Sequence, residues 1–146
     1  MKIAIVGPRQ GADLEAVRLY VESLPRDTTV VSGGATGVDI TAETHWLAQG
    51  GRVWSYRIRK RGDEKYVIEK WDMGGERPAV HDLQLEPSWA DPTSALLYRS
   101  MLVAEAADEI RAFGNGNKMR GTEFTIFVGR EGEQKPTFVW EDGEWR

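Results

Sequence analysis

Thr29-Val30-Val31-Ser32-Gly33-Gly34-Ala35-Thr36-Gly37-Val38-Asp39 is the stretch that decides the fold. Four residues rich in β-branching predict a short buried strand. The glycines that follow allow a tight turn and close approach of the backbone to another group. From Val38 to Ala48 the chain reads as a helix, closed by Gly50-Gly51. Such a strand–turn–helix unit points unpaired N–H groups and a positive dipole end at one place, a natural phosphate site.

The neighbours on either side repeat the unit. Lys2 to Val6 reads as a buried strand ending at Gly7. Leu14, Val17, Val21 and Leu24 follow at helical spacing, and Pro25 ends that helix. Arg52 to Tyr56 is a third strand. Strand and helix alternating with short links predict a parallel sheet with right-handed crossovers.

Arg57 to Pro92 is polar, broken by glycine and proline, and without sustained period. It reads as a long excursion carrying one short helix near Glu64 to Trp71. Loops of that length within a compact domain are usually functional or mobile. Asp91-Pro92 then opens a helix to about Ala107, with Leu96, Arg99, Val103 and Ala107 along one side. Glu109 to Phe113 and Thr137 to Trp140 are strands, and Asp142-Gly143 is a turn before a short tail. Phe124, Ile126 and Val128 alternate as in a strand, but a crossover is needed to reach a parallel fifth strand. Gly121 to Gly129 is therefore read as helix. The whole is a single α/β domain, a Rossmann-like three-layer fold with a mainly parallel sheet.

Composition narrows the function. Hydrophobic residues are 40% and charged residues 29%, with a net charge of −4. That balance disfavours general nucleic-acid binding, which usually takes a basic protein. No apolar run reaches the roughly 20 residues a membrane span needs. The chain has no cysteine and two histidines, so thiolate chemistry and disulfides are excluded and a histidine-rich metal site is disfavoured. A cytoplasmic protein without resident cofactor is the expectation.

In a parallel sheet the ligand crevice lies outside the carboxyl ends of the strands. The candidate binding residues fall there: Gly7, Pro8 and Arg9 after the first strand, and Ser32, Gly33, Gly34, Ala35, Gly37 and Asp39 after the second. Lys118, Arg120, Gly121 and Thr122 follow the fourth. Asp39 has two roles open to it, stabilising its own helix N-terminus or accepting a sugar hydroxyl. The basic run Arg57 to Arg61 reads as a solvated segment, and His45 as a packing residue beside Trp46. Trp140 and Trp145 exceed what one small core would absorb, so self-association as a homodimer or higher oligomer is expected.

Gly7-Pro8-Arg9, the block Val30 to Asp39, Arg99 in a helix ending Ala106-Ala107-Asp108, Ala112-Phe113 and Gly121-Thr122 together resemble the SLOG superfamily. The small YspA/YpsA-like proteins match best; DprA and the LOG phosphoribohydrolases are more distant. The resemblance implies a fold that binds nucleotides or nucleotide-derived signals, often as a homo-oligomer, with Gly33, Gly34, Gly37, Gly121 and Thr122 shaping the pocket and Arg99 facing it. It implies sensing or sequestration and, for a phage-encoded chain, an anti-defence sponge. Hydrolytic relatives carry Gly-Gly-x-Gly-Thr-x-x-Glu, and here the glutamate position is Thr125. Glu123 falls on another helix face. Binding without turnover is therefore the expectation, with no catalytic residue assigned. An N-glycosidase or phosphoribohydrolase and a DprA-like DNA-handling module are the alternatives.

Overall fold

The computed structural model describes residues 1–60, 66–74, 79–83, 92–114 and 120–146, the side chains of 79–83, 92 and 120 excepted. In chain order the elements are β1 (Lys2–Val6), α1 (Leu14–Glu22), β2 (Thr29–Ser32), α2 (Val38–Ala48) and β3 (Arg52–Lys60). Then come β4 (Tyr66–Met73), β5 (Ala79–Leu83), α3 (Pro92–Ala106), β6 (Glu109–Phe113), α4 (Arg120–Phe127), a π-helical turn (Val128–Gly132), β7 (Thr137–Glu141) and β8 (Glu144–Trp145). The eight strands form one sheet in the order β5-β4-β3-β2-β1-β6-β7-β8. The five from β3 to β7 across its centre are parallel, and β4, β5 and β8 extend it with antiparallel pairs.

Alternation in the central strands sorts the core into two layers. Ile3, Ile5 and Val30 face α1 and α2, packing with Val17, Val21, Val38, Ala42 and Trp46. Ala4, Val6, Val31, Ile110 and Ala112 face α3, with Val103, Ala104 and Ala107. Buried on both faces, these strands are nearly continuous apolar runs, as parallel sheets require. Trp46 is fully buried, and its indole N–H donates to the Thr28 carbonyl at 3.0 Å.

Three expectations need correction. The excursion after Tyr56 is not a structureless loop with a helix: β3 runs on to Lys60 and pairs in register with β4, Val53 opposite Met73 through Lys60 opposite Tyr66. Of the expected helix near Glu64 to Trp71, the part from Tyr66 is instead strand β4, and Glu64 and Lys65 lie outside the described residues. The alternating charges of β4 had hidden the period, because both faces of this ribbon carry ion-pair or cation–aromatic contacts beside their apolar residues. Arg59 pairs with Glu69 at 3.3 Å, and the Lys70 ammonium lies 3.5 Å from the Trp54 ring centroid. The run from Arg57 is accordingly not simply solvated; Arg57 is half-buried in an ion pair. Third, the tail is a strand. Asp142 and Gly143, both at positive φ, turn the chain into β8, and Trp145 packs edge to face on both Trp140 and Phe113, with Trp140 tilted against Phe113. Tyr20 completes that cluster.

Gly121 to Phe127 is helical as topology demanded, and Pro92 opens α3. The capping residue expected there, Asp91, lies outside the described residues. No helix among the described residues is long and apolar enough to cross a membrane.

Candidate functional site

The strand order reverses direction at β1, whose neighbours β2 and β6 are reached by crossovers on opposite sides of the sheet. Outside the carboxyl ends of the strands at this switch point lies a cavity of about 370 Å³, within the range of small-molecule sites. Val6, Gly7, Pro8 and Arg9 form one wall; Gly33, Ala35 and Asp39 form a second. The third comes from α3 (Leu96, Arg99, Ser100, Val103) and α4 (Gly121, Thr122, Thr125).

The glycines make the walls meet. Gly37 is at φ +88°, and a Cβ there would come within 2.5 Å of the Arg9 carbonyl oxygen, so this position brings the turn against the β1–α1 loop. Val38 N–H donates to the Pro8 carbonyl across the same seam at 3.4 Å. Gly33 leaves room for two charged groups. A Cβ on it would stand 2.9 Å from Asp39 Oδ2 and 3.1 Å from Arg99 Nε.

Asp39 and Arg99 therefore approach each other over bare backbone. Asp39 Oδ2 accepts the Ala35 N–H at 3.3 Å, while Oδ1, also buried, has no hydrogen-bond partner. Burial pushes the Asp39 carboxyl up to about 7; Arg99 and the N–H groups of Ala35 and Gly33 oppose the rise, and Glu43 adds to it. Burial also lowers Arg99, with Asp39 opposing and Arg9 reinforcing. Desolvation outweighs the helix-terminal N–H groups, which lower a carboxyl at such a place.

Nine of the predicted residues line the cavity: Gly7, Pro8, Arg9, Gly33, Ala35, Asp39, Arg99, Gly121 and Thr122. Ser32, Gly34 and Gly37 do not. Ser32 is buried behind the turn, its hydroxyl donating to Glu43 Oε2 at 2.8 Å and accepting the Gly34 N–H. Gly34 backs onto Ser55 and Arg57. Lys118 and the Arg120 side chain lie outside the described residues. Thr125, at the position of the hydrolases' glutamate, does line the cavity, but its hydroxyl donates back to the Gly121 carbonyl at 2.9 Å. Glu123 is exposed and is not among the lining residues. His45 is half-buried on α2.

The main residue missed from sequence is Glu43. It is 2% exposed and accepts hydrogen bonds from Ser32, Ser55 (3.0 Å) and Arg57 (2.9 Å), and Arg57 also lies 4.5 Å from the Trp71 ring centroid. One signal was available: Glu43 is one turn beyond Asp39 on the same helix face. Leu96 and Val103, placed on the Arg99 side of the helix from their spacing, line the cavity with it; Ser100, one residue on, was missed. No group of three or more potential metal-ligating side chains occurs among the described residues.

The chain is thus a Rossmann-like α/β protein with a charged cavity at its switch point. Among solved structures it is similar to DNA processing protein A (DprA) from Streptococcus pneumoniae, with a TM-score of 0.69 at 19% identity. The match covers 94% of this chain and 49% of that one, so the chain spans about half the length of its structural neighbour. At that identity the likeness shows the Rossmann-like fold alone. No family model and no curated protein matches the chain.

Proposed function

We propose that the cavity binds a nucleotide or nucleotide-derived ligand through its phosphate, and that the protein senses or sequesters that ligand. The observation that carries this reading is the convergence of Arg9, Arg99 and the Gly33–Asp39 turn on one cavity at the switch point of the sheet. Arginine stays charged and offers several donors to a phosphate. The α2 N-terminus adds a dipole worth about 0.3–1 kcal/mol, and each charge-assisted hydrogen bond about 1.5–3. Three such bonds near their upper value, with the dipole, reach roughly 8 kcal/mol, micromolar affinity. The finer resemblance to YspA/YpsA-like proteins and the sponge role rest on the motif residues. Mass spectrometry of small molecules released from the denatured protein tests the proposal. Recovery of an intact phosphorylated nucleoside derivative, lost in Arg99→Ala, supports it; a folded wild type that carries none and binds none in calorimetry refutes it.

One observation favours a second reading, glycosidic hydrolysis of the same ligand. A carboxyl that titrates near neutrality inside a cavity is suited to general acid–base work, and Asp39 is such a group. Release of free base from nucleoside monophosphates, lost in Asp39→Asn, would establish it. Intact ligand after prolonged incubation would exclude it.

A further inference from the structure

A second cavity, of about 400 Å³, opens on the α1 face of the sheet, between α1 and the β6–β7–β8 edge. Among the described residues it shares no lining residue with the cavity at the switch point. One side of it is aromatic. Phe113 is buried, and Tyr20, Trp140 and Trp145 are half-buried around it. The Trp145 ring centroid stands 5.2 Å from that of Tyr20, 5.1 Å from Phe113 and 5.2 Å from Trp140, edge to face each time. Ala16 and Leu19 of α1 add an apolar wall, and Asp13 and Glu15 supply the charge.

The aromatic cluster already holds one cation of its own chain. The Arg111 guanidinium, paired with Glu109 at 3.0 Å, lies 4.7 Å from the Trp145 ring centroid and 5.5 Å from that of Tyr20. Ring faces attract cations through their quadrupole, tryptophan most strongly. Arg111 does not line the cavity, and no other lysine, arginine or histidine does so among the described residues. We propose that this second cavity binds a small organic cation with an alkylated, quaternary ammonium head.

The state of the two carboxylates selects that head. Asp13 caps α1, its Oδ1 accepting the Ala16 N–H at 3.1 Å. Glu15 accepts from Arg18, which also donates to Glu22, so this trio of two carboxylates and one guanidinium stays net negative. The α1 N-terminus adds roughly half a positive charge, less than Asp13 offsets. The field at the cavity therefore favours a cation and opposes a phosphate. Both carboxylates are already hydrogen-bonded. A primary ammonium entering here would give up water for its three N–H donors against partly engaged acceptors. A quaternary ammonium has no N–H to satisfy. Its charge is spread over methyl groups that pack on rings and on Leu19, and it needs only the field.

Nuclear magnetic resonance titration of the indole N–H signals of the full chain tests this with choline and with 3,3-dimethyl-1-butanol, which has the same shape without the charge. Choline should shift the Trp140 and Trp145 signals with a Kd of about 1 mM or tighter. The neutral alcohol should bind at least about five-fold more weakly. Trp145→Leu should weaken choline about five-fold or more. Asp13→Asn with Glu15→Gln removes both charges while asparagine keeps the helix cap, so this variant stands even where Trp145→Leu does not fold. It should weaken choline at least about three-fold and leave the alcohol within about two-fold. Equal binding of choline and the alcohol by the wild type would show an apolar groove indifferent to charge and overturn the proposal. So would the absence of any shift at about 10 mM choline, or choline affinity unchanged in the folded double variant. A trimethyllysine peptide that binds about ten-fold tighter than choline would overturn the small-molecule assignment in favour of a partner protein.

Discussion

At the residue scale Asp39 couples the cavity to stability. A carboxyl raised from 3.8 to about 7 on folding makes the native state hold a proton that the unfolded chain has lost. Between about pH 4 and 7 the native state therefore binds more protons, so stability falls as pH rises through that window and levels off above it. The rise corresponds to roughly 4 kcal/mol as an upper bound. Asp39→Asn removes the titration. Its thermal midpoint should exceed that of the wild type at pH 8, with the gap closing by pH 5; a gap independent of pH would show that Asp39 is not raised. Gly34 makes a second prediction at this scale. It sits at φ +69°, and a Cβ would meet Arg57 Cγ at 2.6 Å and Ser55 Oγ at 2.9 Å. Gly34→Ala should cost about 1–3 kcal/mol in urea unfolding through backbone strain and the displaced ion pair. A variant as stable as the wild type would mean the turn tolerates a side chain.

Among elements, the joint between the parallel core and its antiparallel extension depends on one buried acid. Glu43 on α2 holds Ser32 of β2 and Ser55 and Arg57 of β3, so a single carboxylate ties the helix to two strands directly behind the glycine turn. Removing one partner of a buried pair leaves the other uncompensated, at about 3–5 kcal/mol. Arg57 is 30% exposed, so the lower end applies. Glu43→Ala should lose about 3 kcal/mol in chemical denaturation, and a loss under 1 would show that water replaces the carboxylate. The same region marks what was legible in the sequence. The strands that face two helical layers were readable because burial on both sides makes them apolar runs, and the α4 helix because topology overrode its alternating Phe124, Ile126 and Val128. β4 and β5 were not readable. Their pairing to β3 is non-local, and in β4 the Tyr66–Met73 pattern is set by cross-strand charge and ring contacts that a hydrophobic period does not register. Of the cavity, the glycine turn, Arg9 and Arg99 were visible in linear motifs. The inward side of α3 required placing a helix face, and the raised Asp39 required knowing its burial.

The whole molecule bears on partners. Trp140 and Trp145, which suggested self-association, are held by Tyr20 and Phe113 of the same chain, so they no longer argue for it. The homodimer rests on the family resemblance, and sedimentation giving a monomer mass at high micromolar concentration would refute it. The similar solved structure is that of a DNA processing protein, which raises the question of nucleic acid for this chain. Charge decides the expectation. Binding through phosphates releases counterions in proportion to the number neutralised, and requires a cationic surface that tracks the backbone. This chain has 19 basic and 23 acidic residues. Several of its arginines are already paired with carboxylates: Arg18 with Glu15 and Glu22, Arg52 with Asp72, Arg57 with Glu43, and Arg111 with Glu109. The two arginines that line the cavity among the described residues can hold one small phosphate group, but two cations do not make a track for a strand. Anisotropy with labelled single-stranded and duplex DNA should therefore show no binding tighter than the roughly 10⁻⁴ M of weak non-specific association, at 50 mM or 200 mM salt. Micromolar binding that weakens steeply between those two salt concentrations would transfer the neighbour's nucleic-acid chemistry to this chain. It would also require a phosphate track outside the cavity.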